Sequence, residues 1–233
     1  MGLDGQGDAG NGYEDERERM LRQIEAEARY TRDAIGKDAL DPRVLEALRR
    51  VPRHELVPYG SARLAYENRP LSIGCGQTIS QPYIVALMTD LLALRPEDKV
   101  LEVGTGSGYQ TAVLCELARQ VYTIEIIPEL HEHASRALKR LGYSNVETRL
   151  GDGYAGWPEH APYGAIIVTA AAPEVPPPLI EQLAPGGRLV IPVGGPFFSQ
   201  ELMLLSKDAA GEVHTRHVLP VAFVPLTGDH TGA

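Results

Sequence analysis

The sequence predicts an open α/β sheet, mostly parallel, with antiparallel strands at its C-terminal end and a helical N-terminal cap. Three observations carry this expectation. From Lys99 to about residue 194, short apolar runs alternate with helix-length stretches, the rhythm of right-handed βαβ units. Two later strand-like runs, ELMLLSK and the stretch around HVLPVAFVPL, have little more than KDAAGE between them. That leaves no room for a crossover helix, so they should pair antiparallel. Before Lys99 the apolar spacing is helical or irregular.

Taken in order, residues 1–15 (MGLDGQGDAGNGYED) place Gly and Asp where a core needs apolar side chains, and they read as a disordered tail. Residues 16–35 keep Met20, Leu21, Ile24 and Ala28 at helical spacing. Asp41-Pro42 reads as an N-cap followed by Pro at N1, opening a helix through Val44, Leu45 and Leu48. Residues 51–77, rich in Pro, Gly and Tyr, read as an ordered loop region, longer than loops usually are without a purpose. Pro82 opens a helix carrying Ile84, Val85, Leu87, Met88, Leu91 and Leu92. Then come KVLEVG, a helix over 107–119, VYTIEI, a helix over 128–141, VETRL, AIIVTA, a helix near 179–183 and RLVIPVG. The expected organisation is a tail (1–15), a helical cap with the substrate-side region (16–98), an α/β domain forming one folded unit with the cap (99–227), and a second tail (228–233).

Composition narrows the function classes. At 233 residues, 43% hydrophobic and 23% charged, the chain is an ordinary globular one and wholesale disorder is excluded. Thirty-one acidic against 22 basic side chains leave a net charge of −9, a poor match for nucleic-acid phosphates. No apolar run approaches the ~20 residues that span a bilayer, and no secretory signal is legible. Cys75 and Cys115 are too few for a zinc site or a disulfide framework. His131 and His133, two apart on a helix, face different ways, so no metal is expected. The expected setting is the cytoplasm, as a monomer, with neither nucleic acid nor membrane as partner.

The most informative stretch is Glu102-Val103-Gly104-Thr105-Gly106-Ser107-Gly108-Tyr109, where a strand gives way to a helix. Glycines there let backbone approach a ligand, and the helix start lends its N–H groups. The dinucleotide fingerprint would need Gly where Tyr109 stands, and a phosphate loop would need a lysine that is absent. Glu102 beside the loop disfavours a diphosphate and suits a ligand with a cationic centre, such as S-adenosylmethionine. Two later strand tips also carry acids. Glu125 ends the second strand and can accept both ribose hydroxyls; Asp152, in Gly151-Asp152-Gly153 after the third, can accept from an adenine amino group.

These residues also resemble a known family. Arg53-His54-Glu55-Leu56-Val57-Pro58, Gly76-Gln77-Thr78-Ile79-Ser80-Gln81-Pro82, the glycine loop, Gly151-Asp152-Gly153-Tyr154, Thr169-Ala170-Ala171-Ala172-Pro173, Pro185-Gly186-Gly187-Arg188-Leu189 and Phe223-Val224-Pro225-Leu226-Thr227 are similar to the protein-L-isoaspartate O-methyltransferases. The resemblance runs from about Arg43 to Thr227. It implies a Rossmann-like methyltransferase sheet and methyl transfer from S-adenosylmethionine, which leaves as S-adenosylhomocysteine. The acceptor would be the free α-carboxylate of L-isoaspartyl residues in damaged proteins and peptides; the ester returns through succinimide to aspartate. The implied cofactor set is Gln77, Thr78, Ile79, Ser80, Ser107, Glu125, Asp152, Gly153 and Thr227, with Glu102, Gly104, Gly106 and Ile126 beside them; Ser80 is the implied active-site serine. Cys75 stands where bacterial relatives commonly have histidine, near the expected substrate mouth, and Gly164 where aspartate is frequent.

A carboxylate acceptor is ionised at neutral pH, so the chemistry needs positioning and removal of water rather than a general base. Hydroxyls at Thr78 and Ser80 fit this. Ser80 can orient the carboxylate, cap the following helix, or do both. Arg53 and His54 either attract a carboxylate or cover surface. His214 and His217 are expected at the surface, Cys115 in the core, and Trp157 packed over a loop. Asp4-Gly5 and Asn11-Gly12 are expected to age to isoaspartate, making the chain its own substrate. Two other functions compete: methylation of a dedicated peptide precursor, and a non-catalytic adenosyl sensor. The chain stops six residues after Thr227, whereas dedicated-substrate relatives carry extra C-terminal sequence, which favours general repair. The presence of Ser80, Glu125 and Asp152 disfavours the sensor.

Overall fold

Caps and helical spacing set the limits of the N-terminal elements. The computed structural model describes residues 12–195 and 199–228; Asp4, Gly5 and Asn11, and residues 229–233 of the expected C-terminal tail, lie outside the described residues. Helix α1 (Glu14–Tyr30) begins earlier than the sequence predicts. Glu14, Asp15 and Glu16, part of the expected tail or its edge, fill the first turn, where carboxylates suit the partial positive charge of a helix start. Tyr13 just before it stacks on His54, ring centroids 4.3 Å apart. Met20, Leu21, Ile24 and Ala28 are buried as their spacing predicts. After α2 (Arg32–Ile35), Asp41 caps α3 (Pro42–Arg50) by accepting from the Arg43 N–H at 2.8 Å.

The expected loop region is largely structured. Two 3₁₀ turns, Arg53–Leu56 and Tyr59–Leu64, lead into an antiparallel hairpin of β1 (Leu71–Gly74) and β2 (Gln77–Ile79). Helix α4 (Pro82–Leu91) follows. The main sheet then unfolds in order: β3 (Lys99–Val103), α5 (Tyr109–Cys115), β4 (Gln120–Glu125), α6 (Pro128–Arg140), β5 (Val146–Leu150), β6 (Tyr163–Val168), α7 (Pro177–Gln182), β7 (Leu183–Val193), β8 (Gln200–Lys207) and β9 (Val213–Val221). Helix α5 is shorter than expected. Gly108 before it is left-handed (φ 84°), so the helix cannot start sooner, and its far end turns off where the Arg119 and Gln120 N–H groups reach the Asp98 carbonyl.

Strand order is β5-β4-β3-β6-β7-β8-β9. The first five strands of that order run parallel and the last two join antiparallel, as the sequence predicts. The chain lays β3, β4 and β5 outward in one direction, then returns to set β6 on the other side of β3. That reversal leaves a crevice at the carboxyl ends of β3 and β6.

Period-two alternation sorts the buried side chains onto two faces. Val100, Ala165, Ile167 and Val190 share one core with α1, α3, α4 and α5, while Leu101, Val103, Ile166, Val168, Leu189 and Ile191 join a second core with Trp157 and Leu179. The cap helices therefore share their core with one face of the sheet. Among the described residues no helix is long and apolar enough to cross a membrane.

Candidate active site

The crevice is walled by strand tips and by the loop after β3. At Gly104 the backbone is left-handed (φ 95°), and a Cβ there would run into the Thr169 hydroxyl oxygen. Thr169 holds this turn by donating to the Gly104 carbonyl at 2.6 Å. Glu125 at the tip of β4 accepts from the Gly106 N–H at 2.8 Å and the Ile127 N–H at 2.9 Å, fixing the loop against the neighbouring strand. The resulting cleft is lined by Gln77, Thr78, Gly104, Gly106, Glu125, Ile126, Gly153 and Thr227, all of them expected, together with Ile124, Ile127, Leu130, Thr169 and the Val224–Leu226 stretch.

Two adjoining spaces complete the site. A small chamber beneath the loop is lined by Ile79, Ser80, Ser107, Tyr109 and Gln110. An open groove of about 680 Å³ runs between Glu27 of α1 and Thr31 just after it, the start of α4, and the segment from Leu219 to Val224. Thr78 and Thr169 line all three spaces, and Ser80 lines the chamber and the groove. A cofactor cleft thus opens onto a larger groove, with Ser80 at the junction.

Two expected acids sit apart from the cleft lining. Glu102 alternates with Leu101 and Val103, so its side chain points to the opposite face of the sheet, beneath α5. It is wholly buried and accepts from Thr111 and, at 2.6 Å, from Thr123. Burial is the main effect on its carboxyl, pushing its pKa up to about 8 against the pull of those hydroxyls. At neutral pH it is mainly protonated, so the charge argument drawn from its position beside the loop does not hold. It ties β3, β4 and α5 together from behind. Asp152 packs against Gly228 and accepts from the Tyr154 N–H at 2.8 Å, while its neighbours Gly151 and Gly153 line the cleft.

Ser80 is not a helix cap. The N-cap of α4 is Gln81, without a side-chain cap bond, and the first-turn N–H of Tyr83 donates to the Asn68 side chain at 3.0 Å. The Ser80 hydroxyl makes no hydrogen bond among the described residues, while its carbonyl accepts from Arg53 at 2.9 Å. The basic pair splits: Arg53 is fully buried, and His54 joins a stack with Tyr13 and Tyr66.

Cys75, by contrast, sits exposed at the tip of the β1–β2 turn with φ 52° and lines none of the three spaces. Gly164 has a local reason: a Cβ there would lie 2.6 Å from Asp98 Oδ1, and Asp98 holds the Arg95 N–H at 2.8 Å. Cys115 and Trp157 are buried, and His214 and His217 exposed.

Thr169 and the Leu219–Val224 wall join the site although the sequence does not mark them as site residues. Thr169 was visible only as part of a motif. The wall has no signal of its own, because β9 reaches the site through sheet order alone. No histidine or lysine lines the cleft, chamber or groove among the described residues, and no cluster there could hold a metal ion.

Comparison with known proteins agrees with this architecture. Residues 32–231 match the model of the protein-L-isoaspartate(D-aspartate) O-methyltransferase family. The chain is 63% identical over 224 residues to protein-L-isoaspartate O-methyltransferase 2 of Syntrophobacter fumaroxidans, covering 96% of this chain and 91% of that one. It is also 63% identical to a protein of that name from Polaromonas sp., over 90% of this chain and 99% of the relative. A solved protein-L-isoaspartate O-methyltransferase superposes with a TM-score of 0.78 at 28% identity, over 91% of this chain and 66% of its own. A Plasmodium falciparum structure in complex with S-adenosyl-L-homocysteine, 24% identical, shares the fold with a TM-score of 0.75 over 93% of this chain and 99% of its own. The chain belongs to the protein-L-isoaspartate(D-aspartate) O-methyltransferase family.

Proposed function

We propose that the three adjoining spaces divide the work of one reaction: the cleft holds the methyl donor, the groove holds the damaged peptide, and Ser80 orients the acceptor between them. As a member of its family the chain is a repair methyltransferase, acting on L-isoaspartyl residues with S-adenosylmethionine. When bound, S-adenosylmethionine supplies a methyl on a cationic sulfur, taken by the acceptor carboxylate as the O–C bond forms and the S–C bond breaks with its electron pair left on sulfur.

The residues fit that donor. Glu125 has lone pairs left beyond its two backbone partners and is the acceptor for ribose hydroxyls. Gly104, Gly106 and Gly153 let backbone approach a flat nucleoside, and Ile124, Ile126, Ile127 and Leu130 give an apolar wall for adenine. Gly153 and Thr227 close the far side, with Asp152 behind them against Gly228, and Gln77, Thr78, Ile79 and Ser107 hold the end facing the groove.

On the acceptor side the observation that carries the reading is a free hydroxyl at the junction with no histidine or lysine in the lining among the described residues, the Glu27 carboxylate of the groove being taken up by Asn68 and Gln81. An isoaspartyl carboxylate is already ionised at neutral pH, so no proton has to be removed. The Ser80 hydroxyl donates one hydrogen bond that sets the carboxylate's angle, and the apolar Leu219–Val224 wall excludes water from it. No metal is needed for this step. The proposed working form is a monomer in a reducing compartment such as the cytoplasm.

The test uses one peptide in two forms, with L-isoaspartate or L-aspartate at a single position, each incubated with the chain and S-adenosylmethionine. The expected result is a mass gain of one methylene on the isoaspartyl form alone, followed by loss of methanol as succinimide forms. Methylation of both forms, or of neither with cofactor binding intact, overturns it.

A further inference from the structure

Among the described residues, Arg53 is a buried cation with no buried anion beside it. Its side chain is fully removed from water, and the groups that act on its charge are the phenols of Tyr109 and Tyr66, not carboxylates. Buried charges are ordinarily paired, because burial strips their hydration. Here Nε donates to the Ala65 carbonyl at 2.7 Å and Nη2 to the Ser80 carbonyl at 2.9 Å. The guanidinium lies over the Tyr109 ring, 4.6 Å from its centroid, and Nη1 has no partner among the described residues. Burial pushes its pKa down to about 10, which still leaves it protonated at neutral pH.

The position of this charge gives it a use. Ser80 and Tyr109, the two residues it touches around the site, both line the chamber under the glycine loop. A fixed positive charge therefore stands directly behind the wall at which the acceptor carboxylate is oriented. We infer that Arg53 is the counter-charge of the acceptor pocket, a positioning residue that acts through Ser80 to favour an anionic acceptor and release the neutral ester. This rests on Ser80 forming the acceptor wall.

Charge balance shapes the consequence. The substrate enters with a carboxylate charge and leaves as an uncharged ester. Arg53 therefore stabilises the bound substrate more than the transition state, in which part of that charge is already gone. Its effect falls on KM, and product is not held back by charge. An arginine that merely tied the 53–56 turn to residues 65, 80 and 109 would show no preference between an anion and a neutral isostere.

The experiment is competition binding without methyl donor. It uses the isoaspartyl peptide and the same peptide with that carboxylate replaced by its amide, a neutral isostere. The expected result for the wild-type chain is roughly 30-fold tighter binding of the carboxylate. Arg53→Met should reduce that ratio to about threefold or less while the amide's affinity holds, and Arg53→Lys should keep a ratio of roughly tenfold. In turnover, Arg53→Met should raise KM roughly tenfold or more with a much smaller change in kcat. Should Arg53→Met fail to fold by circular dichroism, Arg53→Gln, which can still donate to one carbonyl, carries the same expectation. A wild-type ratio near one, a neutral variant that keeps the ratio, or equal weakening of both peptides overturns the inference. Because the ratio is read without turnover, its failure is distinct from a Ser80→Ala chain that keeps full activity, which would instead remove the reading beneath it.

Discussion

Behind the cofactor cleft stands Glu102 and behind the acceptor groove stands Arg53. Both are fully removed from water, yet the fold treats them oppositely. Glu102 is surrounded by two threonine hydroxyls and held protonated by burial. Arg53 keeps its charge and meets only carbonyls and an aromatic face. The acid behind the cofactor half is thus neutralised within the chain, while the acceptor half holds a buried cation with no buried anion beside it among the described residues. A donor site that must bind whenever the cofactor is present gains from a finished, rigid cradle. A pocket that must accept an anion and release a neutral product gains from a charge left over.

Four changes test that contrast, beginning with the largest. Glu125→Ala removes the acceptor for two backbone N–H groups and for the expected ribose contact; affinity for S-adenosylhomocysteine should fall roughly 100-fold by calorimetry, with isoaspartyl-peptide affinity unmoved. A matching loss of peptide affinity would merge the two halves. Ser80→Ala should lower kcat/KM roughly 10- to 100-fold while cofactor affinity and melting temperature hold, because Ser80 caps no helix. A fall in melting temperature as large as that from losing a cap would return Ser80 to a structural role.

Glu102→Gln tests the neutral state behind the cradle. With a folded pKa of about 8 against an ordinary 4.5, the folded chain holds a proton between those values that the unfolded chain has released. This group therefore makes wild-type stability fall as pH rises from about 4.5 to about 8, by at most about 1.4 kcal/mol per pH unit. Glutamine cannot titrate, so the variant should gain on the wild type across that window and level off above it, read from urea midpoints at each pH. A difference that does not vary with pH would mean an ionised Glu102. The smallest effect belongs to Cys75→His: at an exposed left-handed position that histidine tolerates, kcat/KM should change less than about twofold. A larger change would place the β1–β2 turn in the substrate mouth.

The cofactor half was legible because its parts are local in sequence. Glycines and acids fall at the ends of successive strands, and each strand tip is read from a few adjacent residues. Even there, alternation decided a point that proximity missed. Glu102 adjoins the loop in sequence but shares its face with Val100 and points under α5. The acceptor half was less legible because its walls come from α1, the hairpin, the start of α4 and the end of β9, with Arg53 behind them, which the fold alone brings together. Arg53 could be named from the sequence but not placed, since a basic residue in an irregular region reads equally as surface or as site. Tyr13 shows the same limit at the N-terminal end: its stacking on His54 fixes where α1 begins, and nothing near it in sequence announces that partner.

By itself, the sequence determined the mostly parallel sheet with its antiparallel end, the glycine loop, the capped helices and the family, because each depends on spacing within a short stretch of chain. The tertiary structure alone decided which ionisable groups lose their water and which partners they keep. Burial and partnership depend on residues far apart in the chain, and those set whether Glu102 is neutral, whether Arg53 is charged, and what each can do.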